Sequence, residues 1–201
     1  MPGTFQFAEV SYTLTDCIVA AYNKTANTYS TVDSLASGHM VDIEFESDND
    51  TLAGYGVNTA LLSVVKGANL TFGAGGMDMS VMAIVSGWSN TTSGTTPNQV
   101  RKTRLVAGGA GLPYFGLIGV AATDDGGRAV VGLRCCKLDT WPKFTMDGKE
   151  NKFNVSETSG KAIPVAISTI LDVGSVKFYE TTSDWTAPTD AAGFLAFFLT
   201  A

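Results

Sequence analysis

"MVDIEFESDND", residues 40–50, places an acid at every second position: Asp42, Glu44, Glu46, Asp48 and Asp50. Val41, Ile43 and Phe45 alternate with the first of them, and the small polar Ser47 and Asn49 follow. Side chains of an extended chain point to opposite faces in turn, so the stretch predicts a strand with one apolar and one acidic face. Acids two residues apart stand about 6.8 Å from each other and repel by about 0.6 kcal/mol in water. Salt weakens this further. A water-facing row is tolerable; a dry one is not. Three readings are open: a solvated strand face running into an acidic loop, a calcium site, and a surface that must be uniformly negative.

The calcium reading can be tested against the sequence. An EF-hand loop needs acids at positions 1, 3 and 5, Gly at 6 and Glu at 12. Counting from Asp48 puts Leu52 at the fifth position, Ala53 at the sixth and Thr59 at the twelfth. Counting from Asp42 puts Ser47 at the sixth and Ala53 at the twelfth. Neither frame works, and parallel acids on a straight strand do not converge on one ion. No metal or other cofactor is expected.

Around this stretch the chain reads as β-rich. Residues 4–13 and 16–22 carry strand patterns, separated from the acidic strand by the polar segment 23–39. Residues 59–73 form a long strand or a pair broken near Lys66 and Gly67. "MDMSVMAIVSGW" predicts a helix over 77–86: Met77, Val81, Ile84, Val85 and Trp88 recur at helical spacing. Asp78 suits its positive N-terminal end and Gly87 a stop. A polar loop at 88–104 follows, rich in Ser, Thr and Asn. Residues 114–138 predict a hairpin closed by "DDGG", and 152–158 and 176–182 add strands before an apolar C-terminal end at 193–201. The expected fold is mainly β (α+β): an antiparallel sandwich or barrel, a single domain over 1–201, with one flanking helix.

Composition narrows the function classes. The 201 residues suit one domain with a proper core. Hydrophobic residues are 45% and charged ones 16%, which argues against extensive disorder. A net charge of −6 argues against a surface that grips nucleic acid. The apolar run "FLAFFL", 194–199, is too short to span a bilayer, and "MPGTFQFAEV" lacks the basic and apolar regions of a signal peptide. Synthesis and retention in a cytosol are expected, leaving the Asn-x-Ser/Thr triplets without use. The three cysteines include the neighbours Cys135 and Cys136, lack metal-site spacing, and read as buried structural thiols. The lone His39 has no nucleophile motif near it, and the glycine clusters at 73–76 and 108–111 lack the Gly-Lys-Ser/Thr ending of a phosphate loop. No enzyme is expected.

The order of the pieces resembles the major tail (tail tube) proteins of long-tailed bacteriophages. Three stretches carry the resemblance: "LASGHMVDIEFESDNDTLAGYG" (35–56), "LLSVVKGANLTFGAGGMDMSVMAIVSG" (61–87), and 113–160, which begins "PYFGLIGVAATDDGGRAVVGLRCCKL". It is a match of pattern over about residues 8–165.

The resemblance implies a sandwich with one helix, assembled as hexameric rings. Stacked rings would form a tube whose inner sheets join into one barrel, and DNA would pass through it at genome ejection without specific binding. It further implies a virion location after synthesis in the host bacterial cytoplasm, partners such as tape measure and tail terminator proteins, and no membrane. Asp42, Glu44 and Glu46 would then line the lumen and repel phosphate. Asp48 and Asp50 would touch the next ring.

Arg101, Lys102 and Arg104, the main positive cluster, are either a solvated loop or a ring or subunit contact with an acidic surface such as 46–50. Residues 114–122 and 129–136 carry few of the lysines and prolines that blunt edge strands, which predicts edges closed by pairing between subunits. Two other functions compete: a virion decoration or other β-rich virion protein, and a monomeric carbohydrate- or calcium-binding β-sandwich.

Overall fold

The structure is a computed structural model and describes residues 12–35, 38–54, 57–74, 78–104, 111–123, 126–147, 152–167, 170–179 and 184–199. Most of the strand expected at 4–13, and Met77 of the expected helix, lie outside these residues. The strands are β1 (Tyr12–Asn23), β2 (Thr28–Ser34), β3 (Gly38–Gly54), β4 (Val57–Ala74), β5 (Ser89–Ser93), β6 (Val100–Arg104) and β7 (Tyr114–Thr123). They continue with β8 (Arg128–Leu138), β9 (Phe144–Asp147), β10 (Lys152–Ala162), β11 (Val165–Ile167), β12 (Ile170–Asp172) and β13 (Gly174–Tyr179). Two helices, α1 (Met79–Ser86) and α2 (Ala191–Leu199), complete the described elements.

The chain is mainly β, with one large antiparallel sheet in the order β2-β1-β7-β8-β10-β4-β3. Its construction makes it fold over on itself. One edge of β8 is shared: β13 pairs with residues 128–133 of it, whereas β10 pairs only with Cys136, Lys137 and Leu138. That short junction joins two halves, β2-β1-β7-β8-β13 and β9-β10-β4-β3, whose apolar faces meet. Val41 of β3 comes to rest over Gly119 of β7, its Cγ1 3.6 Å from where a Cβ would stand. Phe72 of β4 meets Phe115 of β7 edge to face at 6.4 Å. Val41 and Ile43, from the apolar face of the acidic strand, therefore pack on the core of the sandwich, while Phe45 is exposed.

Helix α1 closes the same core. Asp78 caps it, Oδ1 accepting from the backbone N–H of Ser80 at 2.9 Å, and Gly87 ends it in the left-handed conformation at φ 70°. Val81, Met82, Ile84 and Val85 are buried against Cys17, Val19, Leu117 and Leu133.

The structure corrects the sequence reading at several places. A second helix exists, because "AAGFLAFFL" has a sheet to lie on. Phe194 and Phe197 are buried on the outer face of β1, β7 and β8, where Gly116 leaves room. A Cβ there would stand 2.6 Å from the Phe194 ring. The polar loop expected at 88–104 is the hairpin β5–β6, tied to α1 through hydrogen bonds from Asn90 and Thr103 to Met79. The segment 23–39 contains β2. Finally, β7 and β8 are central strands, paired on both edges. Their stretches 114–122 and 129–136 carry few lysines and prolines because they have no edge to protect, so this feature gives no support to assembly.

All three thiols are buried and unpaired with one another. Burial, helped by Asp16, pushes the Cys17 thiol up to about 12, and burial pushes that of Cys135 up to about 11 against the opposing charge of Lys24. A group held protonated by the fold stabilises it fully below its ordinary value, here 9.0. As pH rises through the folded value the unfolded chain has already lost its proton, and that contribution disappears. Stability should fall by about 1.4 kcal/mol per pH unit for each such thiol between about pH 9 and 11. Denaturant midpoints measured across this range check it. A Cys17→Ala variant should show the shallower slope, and parallel slopes would contradict the assignment.

Candidate functional site

The acidic strand β3 is an edge strand: among the described residues it pairs only with β4. Its register sets Asp42 beside Thr71, Glu44 beside Asn69 and Glu46 beside Gly67. Cross-strand partners share a face, so the acids belong to a surface that continues across the sheet. Glu44, Asn69, Lys161, Lys137, Tyr114 and Tyr22 follow one another in a single row from β3 to β1. That row changes sign along its length. Asp42 and Glu44 are exposed and carry no ion pair among the described residues. Glu46 accepts from Lys161 Nζ at 3.3 Å, and Asp48 from Lys66 Nζ at 2.5 Å.

These pairs stand in water, with side chains 43–62% exposed, and exposed pairs contribute at most about 1 kcal/mol each. Their larger effect is on the charge the surface presents. Two of the acids offset Lys161 and Lys66, and Asp42 and Glu44 remain as uncompensated negative charge. Farther in, Lys137 and Lys24 each place an ammonium over the Tyr114 ring at 5.1 Å. The acidic strand face is thus real, but the sheet face around it is mixed. Lys161 and Lys66 are the members that the sequence reading missed; position 161 continues a polar alternation with Glu157 and Ser159, which was a readable signal.

The other expected contact residues lie elsewhere. Beyond Ala68, β4 leaves β10 behind, so Asp48 and the position of Asp50 belong to a two-stranded ribbon that runs out past the sheet. The side chains of Asp50 and Arg101 lie outside the described residues. Lys102 and Arg104 are exposed on β6. Among the described residues neither of them is paired with Glu46 or Asp48. Nearby, Trp141, half exposed, stacks nearly parallel on buried Trp88 with centroids 6.5 Å apart, a pairing that their separation in sequence concealed.

Among the described residues no group of three or more His, Cys, Asp or Glu side chains is arranged to hold a metal ion. No described helix is long and apolar enough to cross a membrane. Compared with models of known protein families and with curated proteins, the chain matches none.

Proposed function

We propose that this chain is the subunit of a phage tail tube, a structural virion protein that stacks as hexameric rings and conducts DNA. The observation that supports this reading most is the edge strand β3. It offers backbone donors and acceptors without a partner among the described residues, alongside a row of acids on one face. Strand addition by a second copy would continue the sheet around a channel and leave that row in water. Asp42 and Glu44 then present net negative charge to the lumen, with Glu46 holding Lys161 away from passing phosphate. The ribbon bearing Asp48 and Asp50 reaches toward the next ring, where the exposed Lys102 and Arg104, with Arg101, are of complementary sign. Tape measure and terminator proteins are the further partners of such a tube.

Two measurements test the proposal. Sedimentation and negative-stain imaging of the concentrated protein, with and without tail-tip components, should show rings or tubes; a monomer under all conditions refutes it. Glu44→Lys should then leave tubes intact, because the side chain is in water. It should slow DNA ejection at low salt, since a ladder of lysines gains phosphate contacts whose strength falls steeply with salt. Failure of Glu44→Lys to polymerise would place the row in a subunit contact, and ejection at the wild-type rate in low salt would remove it from the lumen.

A further inference from the structure

A second surface bears on ligand binding and stands independently of the tube. The connector that leads into α2 brings Trp185 between two adjoining clefts of about 400 and 340 Å³. The first is bounded by Tyr179, Asp184, Asp190 and Phe197, and the second by Thr15, Asp16 and Arg128. Both volumes fall in the range of small-molecule sites. Trp185 is held by its neighbours, the Tyr179 ring at 5.5 Å and the edge of Phe197 at 5.9 Å.

The polar groups are only partly spent. Arg128 donates from Nη1 to Thr15 Oγ1 at 3.1 Å, but its Nε is buried and has no partner. A guanidinium carries five N–H donors, so donors beyond the one spent on Thr15 remain for a ligand oxygen in the cleft that Arg128 lines. The Asp16 Oδ1 accepts from the Ser34 hydroxyl and the Cys17 N–H, and the Asp190 Oδ1 from the Gly193 N–H. A carboxylate has about four acceptor sites, so each keeps capacity for a further donor.

Charge selects among ligands. Arg128 and Asp16 line one cleft, Asp184 and Asp190 bound the other, and Lys177 sits over the Phe197 ring, so two cations stand against three carboxylates around Trp185. An anion is disfavoured by that excess. A neutral molecule fits if it has a flat C–H face for the indole and hydroxyls able both to accept from Arg128 and to donate to carboxylates. A pyranose has all three features.

We infer that the clefts flanking Trp185 form a binding site for a neutral oligosaccharide, with Trp185 as stacking platform and Arg128 as hydroxyl anchor. Amide chemical shifts and tryptophan emission of the full chain would be followed during titration with maltotriose, cellotriose and triacetylchitotriose, with glucuronic acid as the anionic comparison. At least one neutral sugar should move residues around 15, 16, 128 and 184–190 saturably, with a dissociation constant on the order of 1 mM. Arg128→Met and Trp185→Ala should each weaken it by about tenfold or more. Because Trp185→Ala could loosen α2 through Phe197, Arg128→Met with an unchanged melting temperature is the deciding variant. The inference is overturned if none of the neutral sugars moves these residues, if binding survives Arg128→Met undiminished, or if glucuronic acid binds as tightly.

Discussion

Removing the carboxylate of Asp172 is expected to destabilise the fold by about 3 kcal/mol or more, whereas Arg134→Met should cost distinctly less. Arg134 is the largest fully buried side chain among the described residues, with 1% of its surface exposed. Its Nη1 donates to Asp172 Oδ2 at 3.3 Å, its guanidinium lies 5.1 Å from the centre of the Phe198 ring, and its Nε has no partner. Removing the anion leaves a buried cation uncompensated, and that penalty exceeds the net worth of the pair. Methionine in place of the arginine removes the charge, keeps contact with the ring and leaves a partly solvated Asp172 behind. Asp172 Oδ1 also accepts from the Gly174 N–H at 3.1 Å, so Asp172→Ala would lose a turn contact as well. Asp172→Asn can keep that bond while deleting the charge and so isolates the ion pair. Denaturant midpoints at constant m-value give the comparison. An Asp172→Asn protein as stable as the parent would show that the guanidinium does not depend on this partner.

Val81→Asp is the second substitution of large expected effect. The Val81 side chain is fully buried between α1 and the sheet, in a cluster that holds no cationic side chain among the described residues to pair with a carboxylate. The carboxyl would have to stay protonated or the helix lift off, and either outcome costs several kcal/mol. Loss of soluble protein, or a collapsed melting temperature, is the expected result. A Val81→Ala variant, which only removes volume, should stay folded with a loss of about 1–3 kcal/mol. A Val81→Asp protein melting with the parent would mean that the helix does not seal this core.

The contrast between these two sites shows what local sequence carries. The helix was legible because Val81, Ile84 and Val85 recur at its period and Asp78 and Gly87 mark its ends. The acidic strand was legible from its period of two, and the 114–138 hairpin from two apolar runs joined by the turn residues "DDGG". Helix α2 was not, since nearly every residue of "AAGFLAFFL" is apolar and no face stands out until the glycines of β7 and β8 supply a seat. Arg134 was equally hidden: its partner is 38 residues away, and nothing local distinguishes a buried arginine from an exposed one. The acids of β3 were read correctly as a row, but their lysine partners come from β4 and β10 and depend on register. Position in the sheet, not composition, also decided that β7 and β8 need no edge protection.

The pairing of β1 with β7 sets an order of events during synthesis. Strand β1 leaves the ribosome well before β7, since the carbonyl of Val120 that its Thr15 hydroxyl bonds lies 105 residues later in the chain. Until β7 emerges, β2 is the one pairing partner of β1 among the described strands, and the run from Cys17 to Ala20, buried in the finished sheet, lacks the cover of β7. The β3–β4 hairpin has no such delay, since its strands are nearly adjacent in sequence and can zip locally. The nascent chain therefore passes through a stage in which an acidic, self-paired ribbon is complete while β1, with its buried run from Cys17 to Ala20, still waits for its partner. Aggregation would be most expected during that interval. Like charge along β3 would help keep half-made chains apart on a crowded polysome.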